Sequence, residues 1–167
     1  MYRKLGNVSL VAAMTLVMAC GETSKEMTDQ TAASGEGNVL LAEWVGPYGG
    51  VPAFDQVDLA DMKPALEAGM AMHLEEIDAI ANNPEPATFE NTIVRMEDAG
   101  RDFDRAFTYY RIWSSNVSSP EFREIQQEMA PKLAEYRSKI TQNAALFDRI
   151  RTVYEGGEVD SLRPDQQ

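Results

Sequence analysis

The sequence is poor in the side chains that most catalytic sites need. Its 167 residues include one cysteine, Cys20, and one histidine, His73. One cysteine excludes an intramolecular disulfide. One histidine excludes an H-E-x-x-H zinc motif, which places two histidines one helical turn apart. Neither glycine-rich phosphate motif, G-x-x-x-x-G-K-S/T or G-x-G-x-x-G, is present. We therefore expect this chain to carry no catalytic and no metal-binding residue.

Basic side chains are also scarce. Lysine and arginine together number 15 against 27 acidic residues, which gives a net charge of -12. Affinity for nucleic acid comes mainly from basic side chains that neutralise phosphates. This charge balance therefore argues against a nucleic-acid partner.

The N-terminus combines a short basic stretch with an apolar run. Arg3 and Lys4 precede Val8 to Ala19, a run too short to span a bilayer comfortably. The run ends at Cys20, and the whole resembles a bacterial lipoprotein signal peptide over residues 1–19. The resemblance implies cleavage before Cys20 and acylation of that residue, where two or three acyl chains give a stable anchor. The alternative is an ordinary secretory signal with an incidental cysteine.

The expected location follows from this leader. Gly21, rather than aspartate, after the cysteine favours the outer membrane, so we expect a lipid-anchored protein of the bacterial cell envelope that faces the periplasm. Residues 20–38 are rich in Gly, Ser, Thr and Glu, which predicts a flexible tether. Residues 39–167 form the remaining region. Within it, Trp44, Tyr48 and Phe54 are expected to hold an irregular segment, 39–57, across a helical surface.

Helical periodicity and capping residues predict an all-α array of antiparallel helices with short loops. The predicted starts are Asp61, Thr88, Ser119 and Asn143, and Ser161 is expected to open a further helix. The Thr88 pattern predicts one long helix to about Asn116, with Gly100 as a weak point or a place for close packing. We expect four apolar residues of the helix after Asn143 to face inward: Leu146, Phe147, Ile150 and Tyr154.

For the polar and aromatic clusters we favour solvated or structural roles over catalytic or ligand-binding ones. The carboxylates are expected to be solvated, with Arg101 and Arg105 pairing locally; they are Glu75, Glu76, Glu97, Asp98, Asp102 and Asp104. His73 lies near the edge of an apolar stripe and is expected to be structural. A run of aromatics is expected to be core rather than a ligand platform; it comprises Phe103, Phe107, Tyr110 and Trp113.

One stretch points to a family. "IDAIANNPEPATFENTIVRMEDAG", residues 77–100, resembles the N-terminal helical region of the zinc metallopeptidases that include peptidyl-dipeptidase (dipeptidyl carboxypeptidase), oligopeptidase A and thimet oligopeptidase. "GPYGGVPAFD" and "WSSNVSSPEF" resemble the peptidyl-dipeptidase branch most. "SLRPDQQ", at the end of the chain, resembles the start of that family's next helix.

The resemblance implies that the chain is the N-terminal portion of a longer enzyme, incomplete at its C-terminus. In such a parent, zinc and a catalytic glutamate lie downstream on an H-E-x-x-H helix. This region would form part of the wall of a channel that admits short unstructured peptides. The enzyme would release dipeptides from the free C-termini of those peptides. The alternative is a stand-alone, membrane-anchored helical lipoprotein that binds peptides or a protein partner.

Overall fold

A computed structural model describes residues 37–47 and 50–167. Within these ranges the regular structure is helical, apart from a single antiparallel bridge between Val45 and Val51. The helices are α1 (Leu59–Ala81), α2 (Arg95–Asp98), α3 (Arg101–Asn116), α4 (Pro120–Thr141) and α5 (Ala144–Glu155). A π-helical segment, Phe89–Val94, leads into α2. The prediction of an all-α fold is confirmed.

Helix α1 is the central element and packs against α3, α4 and α5. It begins at Leu59, where the Asp58 side chain accepts a hydrogen bond from the Ala60 N–H. The predicted cap, Asp61, lies inside the first turn, so that prediction is wrong by three residues. An acidic side chain there still interacts favourably with the positive end of the helix dipole. The helix ends before Asn82–Asn83–Pro84, as predicted.

The long helix predicted from Thr88 to Asn116 is broken in the structure. Gly100 adopts φ +79° between α2 and α3, in the left-handed region that an α-helix cannot accommodate. The apolar spacing continues across this break, which is why the pattern alone suggested one helix. The α3 segment ends at Asn116, as predicted.

Helix α4 packs against α1 and contributes four residues to the main core. Ser119 caps it by accepting from the Phe122 N–H, and Pro120 is at its first position. The helix runs through Pro131 to Thr141, and its buried residues are Phe122, Met129, Leu133 and Tyr136. Two ion pairs, Lys63–Glu128 and Lys132–Glu67, join α4 to α1. The lysine hydrogen bond lowers the pKa of Glu128, and ion pairs this exposed contribute little to stability.

Helix α5 is rotated relative to its predicted orientation. Asn143 caps it as predicted, by accepting from the Leu146 N–H. Its buried residues are Leu146, Arg149 and Val153, with Ile150 partly buried against the same core. Phe147 and Tyr154 are 59% and 77% exposed, so the prediction that they face inward is wrong. The helix uses Arg149 on its inner face, which turns these two aromatics outward.

The segment before α1 is held by residues that include two of the three predicted anchors. The Trp44 ring packs edge-on against Tyr109, and the Phe54 ring contacts both Tyr109 and Trp113. The Tyr109 hydroxyl also accepts a 2.8 Å hydrogen bond from the Ala53 N–H. Tyr48 lies outside the described residues. Leu40, which the sequence pattern did not single out, is fully buried in the main core.

The residues after α5 form a short 3-10 turn, Val159–Ser161. The Ser161 hydroxyl donates to the Glu158 carbonyl, so the predicted cap at Ser161 is not formed. The Glu158 carboxylate accepts a 2.9 Å hydrogen bond from the Phe89 N–H, which attaches this turn to the π-helical segment.

Candidate functional site

The asparagine–proline loop and the segment after it form one hydrogen-bonded unit. Thr88 and Asn91 make reciprocal capping bonds: the Thr88 hydroxyl accepts from the Asn91 N–H, and the Asn91 side-chain oxygen accepts from the Thr88 N–H. The Asn91 side-chain NH2 then donates back to the Pro86 carbonyl at 2.9 Å. The N-cap predicted at Thr88 is confirmed, and Asn91 completes the box in the place where glutamate is common.

Arg149, from α5, closes this unit from the other side. One guanidinium nitrogen donates to the carbonyls of Asn83 and Glu85, both at 2.9 Å, and the other donates to the Asn91 side-chain oxygen at 2.8 Å. Arg149 is only 8% exposed. Among the described residues no carboxylate pairs with it, so backbone and amide oxygens supply its stabilisation. Several residues of the family-resembling stretch, 77–100, therefore have a structural role, because they hold the loop and the helix after it together.

A second junction lies where α2 meets α3. The Gly100 N–H donates a 2.6 Å hydrogen bond to the Glu76 carboxylate of α1. A Cβ added at Gly100 would lie 2.6 Å from His73 Nδ1, so a side chain cannot be placed there without moving the ring. The close-packing interpretation of Gly100 is thus confirmed. Glu76, in contrast, is a structural acceptor rather than a merely solvated charge.

His73 reaches from this junction to α4. Its Nδ1 lies 2.5 Å from the Tyr136 hydroxyl, and its ring is tilted against Phe103. Burial raises the pKa of Tyr136 to about 12, with a further increase from Asp104 and an opposing effect from Arg137. The phenol therefore keeps its proton at neutral pH and can donate to Nδ1. The geometry agrees with a structural role for the single histidine.

The remaining clusters have the predicted structural roles: the aromatic side chains pack in the core, and the arginines pair locally with aspartates. Phe103 stacks on Phe107, Phe107 stacks on Tyr110, and all three belong to or pack on the main core. Asp98 pairs with Arg101, and Asp102 pairs with Arg105, which confirms local pairing.

A cleft of about 320 Å³ separates the C-terminal half of α1 from α2. Its lining combines small apolar side chains with two amides and three charged groups; the residues are Glu76, Ala79, Ile80, Asn83, Asn91, Arg95, Asp98 and Ala99. Arg95 is exposed, and no described residue forms an ion pair or a hydrogen bond with its guanidinium. The cleft thus offers an uncommitted cation beside amide and carboxylate groups.

Within the described ranges, no cluster of three or more histidine, cysteine, aspartate or glutamate side chains could hold a metal ion. In the same ranges, no helix has the length and hydropathy needed to cross a bilayer. The predicted lipidation site, Cys20, and the predicted leader lie outside the described residues.

Comparison with known proteins identifies distant relatives. The chain is 31% identical to a dipeptidyl carboxypeptidase of Escherichia coli over 121 residues, which are 72% of this chain and 18% of that protein. It is 28% identical to a dipeptidyl carboxypeptidase of Salmonella typhimurium over 131 residues, 75% of this chain and 19% of that protein. It is 23% identical to oligopeptidase A of Salmonella typhimurium over 117 residues, 70% of this chain and 17% of that protein.

The aligned part of the chain thus spans less than a fifth of each of these relatives. No family model matches the chain.

Proposed function

We propose that this chain, a distant relative of the dipeptidyl carboxypeptidases and oligopeptidases A, is the N-terminal helical region of a longer zinc peptidase. The relationship supports a peptidase-related function. The proposal goes further: the region builds part of a substrate-channel wall and supplies no catalytic residue. The observation that carries it is the match of 72% of this chain to only 18% of a dipeptidyl carboxypeptidase.

The outer face of α5 supports a further layer of protein. Leu146 and Val153 are buried on its inner side, whereas Phe147 and Tyr154 are 59% and 77% exposed on its outer side. A helix with apolar residues on two faces is typical of a helix packed between two layers. In a longer enzyme, we expect later helices to cover Phe147 and Tyr154.

The chemistry of the parent enzyme would come from residues beyond this region. A zinc ion there would polarise the scissile carbonyl of a short peptide, and a glutamate would act as the base. The role of this region would be to shape the channel and to exclude folded proteins, so that short unstructured peptides are the substrates and C-terminal dipeptides the products.

The proposed location is the periplasmic side of the outer membrane. Cleavage before Cys20 and acylation of that residue would attach the enzyme there through the 20–38 tether. Incorporation of labelled fatty acid into the wild type but not into Cys20→Ala tests this anchor. Equal labelling of both would contradict it.

Peptide hydrolysis tests the functional proposal. The product of the uninterrupted gene should release dipeptides from a peptide with a free C-terminus, and a zinc chelator should abolish the release. The purified 167-residue chain should release none under the same conditions. Chelator-sensitive release by this chain alone would contradict the proposal. A product that ends at Gln167 and binds peptides without cleaving them would instead support the stand-alone lipoprotein.

A further inference from the structure

We propose that the cleft between α1 and α2 binds a small zwitterion, a free amino acid or a dipeptide, whose carboxylate lies against Arg95. The cleft volume of about 320 Å³ is at the lower end of the range for small-ligand sites. This assignment rests on the chemistry of the cleft and does not depend on the peptidase relationship.

The positive part of the cleft is Arg95. Its guanidinium has no ion-pair or hydrogen-bond partner within the described ranges, in contrast to its neighbour Arg101, which pairs with Asp98 at 2.5 Å. An unpaired guanidinium can hold a carboxylate through two parallel hydrogen bonds. Asn83 lies on the same cleft, and its side-chain NH2 donates to no described residue, so it adds a second donor for the carboxylate.

The negative part lies at the other end of α2. Glu76 uses one carboxylate oxygen, Oε2, to accept from Gly100 and leaves Oε1 without a described partner. Asp98 uses Oδ1 to accept from Arg101. Both side chains line the cleft, so an ammonium group can meet the remaining oxygens there. Opposite charges are thus displayed along one short cleft, which matches a ligand with both an ammonium and a carboxylate.

Part of the surface between these charges is apolar. Ile80 is 7% exposed, and Ala79 and Ala99 complete the lining with short side chains. A side chain of modest size, such as leucine or alanine, can lie on this surface. The expected ligand is therefore an apolar amino acid or dipeptide, rather than a highly charged one.

The probe for this site is alanyl-leucine, titrated into the 15N-labelled 167-residue chain and followed by backbone amide chemical shifts. We expect saturable shifts at Ile80, Arg95 and Ala99, with a dissociation constant on the order of 1 mM. Alanyl-leucine amide lacks the carboxylate and should bind at least about tenfold more weakly. N-acetyl-alanyl-leucine lacks the ammonium and should also bind more weakly.

Two matched variants locate the carboxylate contact. Arg95→Gln should weaken alanyl-leucine at least about tenfold. Arg123→Gln makes the same charge change at an exposed position on α4, away from the cleft, and should leave binding unchanged. Both side chains are exposed, so both variants should keep the wild-type helical circular dichroism. Equal binding by the two variants, or no saturable shift with alanyl-leucine, would overturn the proposal.

Discussion

The Gly100 amide donates a 2.6 Å hydrogen bond to the Glu76 carboxylate, at the point where the chain leaves the helical conformation. This contact ties the break between α2 and α3 to the C-terminal half of α1. Two further features restrict the position to glycine: a positive φ, and a His73 ring in the space that a Cβ would fill. A weak point in the sequence is therefore a packed junction in the structure.

Substitution of Gly100 by alanine should destabilise the chain by about 2 kcal/mol or more. Left-handed backbone costs a non-glycine residue about 1–2 kcal/mol, and the collision with His73 adds to that. Urea denaturation measures the loss. Gly157 is the matched control, because it has φ +74° and nothing within 4 Å of an added Cβ. Gly157→Ala should therefore cost only the backbone part, and equal losses for the two variants would contradict the junction.

Arg149→Met should cost about 3 kcal/mol in the free energy of unfolding. The change removes three part-buried hydrogen bonds, to the carbonyls of Asn83 and Glu85 and to the Asn91 side-chain oxygen. Chemical denaturation of the variant gives the value. Arg151→Met, on the exposed side of the same helix, removes a surface pair with Asp148 and an exposed contact with the Phe147 ring, and should change stability by less than about 1 kcal/mol. Similar losses for both arginines would show that the Arg149 bonds are not important.

Leu40→Ala should destabilise the chain by about 2–5 kcal/mol, because Leu40 is fully buried and its truncation leaves a cavity. Thermal or urea unfolding reports the change. Val45→Ala, in the same segment but 80% exposed, should stay within about 0.5 kcal/mol of the wild type. If Leu40→Ala were equally neutral, the segment before α1 would not belong to the helical core.

Tyr136 should make stability fall at alkaline pH. Its folded pKa is about 12 and its unfolded value is about 10, so the folded state binds more protons between these values. The stabilisation is complete below pH 10, and it is lost as the pH rises through about 12. The direction of the effect follows from the sign of the shift, because the stability that comes from a folded pKa above the unfolded one is lost when the phenol ionises.

The measurement is urea unfolding of the wild type and of Tyr136→Phe at several pH values between 9 and 12. Other groups titrate in both proteins, so the informative quantity is the difference between their free energies of unfolding at each pH. The difference should shrink or reverse as the pH rises, because the variant lacks the ionising phenol. A difference that stays constant over this range would contradict the raised pKa.

Local features were predictable from the sequence, and long-range ones were not. Thr88, Ser119 and Asn143 were identified as caps because a cap bonds to the backbone within three residues. Asp58 was missed because Asp61, beside Pro64, offered an equally plausible start. The break at Gly100 was missed because the apolar spacing on either side continues the same register.

The inner face of α5 was mispredicted because it depends on long-range contacts. Arg149 follows Leu146 by three residues and precedes Val153 by four, which is the spacing of a buried stripe. A buried arginine is rare, so the pattern favoured Phe147 and Tyr154 instead. Its partners lie more than fifty residues away, and only the fold brings them together. The cleft beside Arg95 likewise depends on the placement of α2 against α1.

The most direct test of the account is to read the gene in frame for several hundred codons beyond that of Gln167. We predict an open frame that contains an H-E-x-x-H motif and a later glutamate, which would make this chain the N-terminal region of a zinc peptidase. A stop codon directly after Gln167 would contradict this, because the helical region would then exist without any catalytic centre.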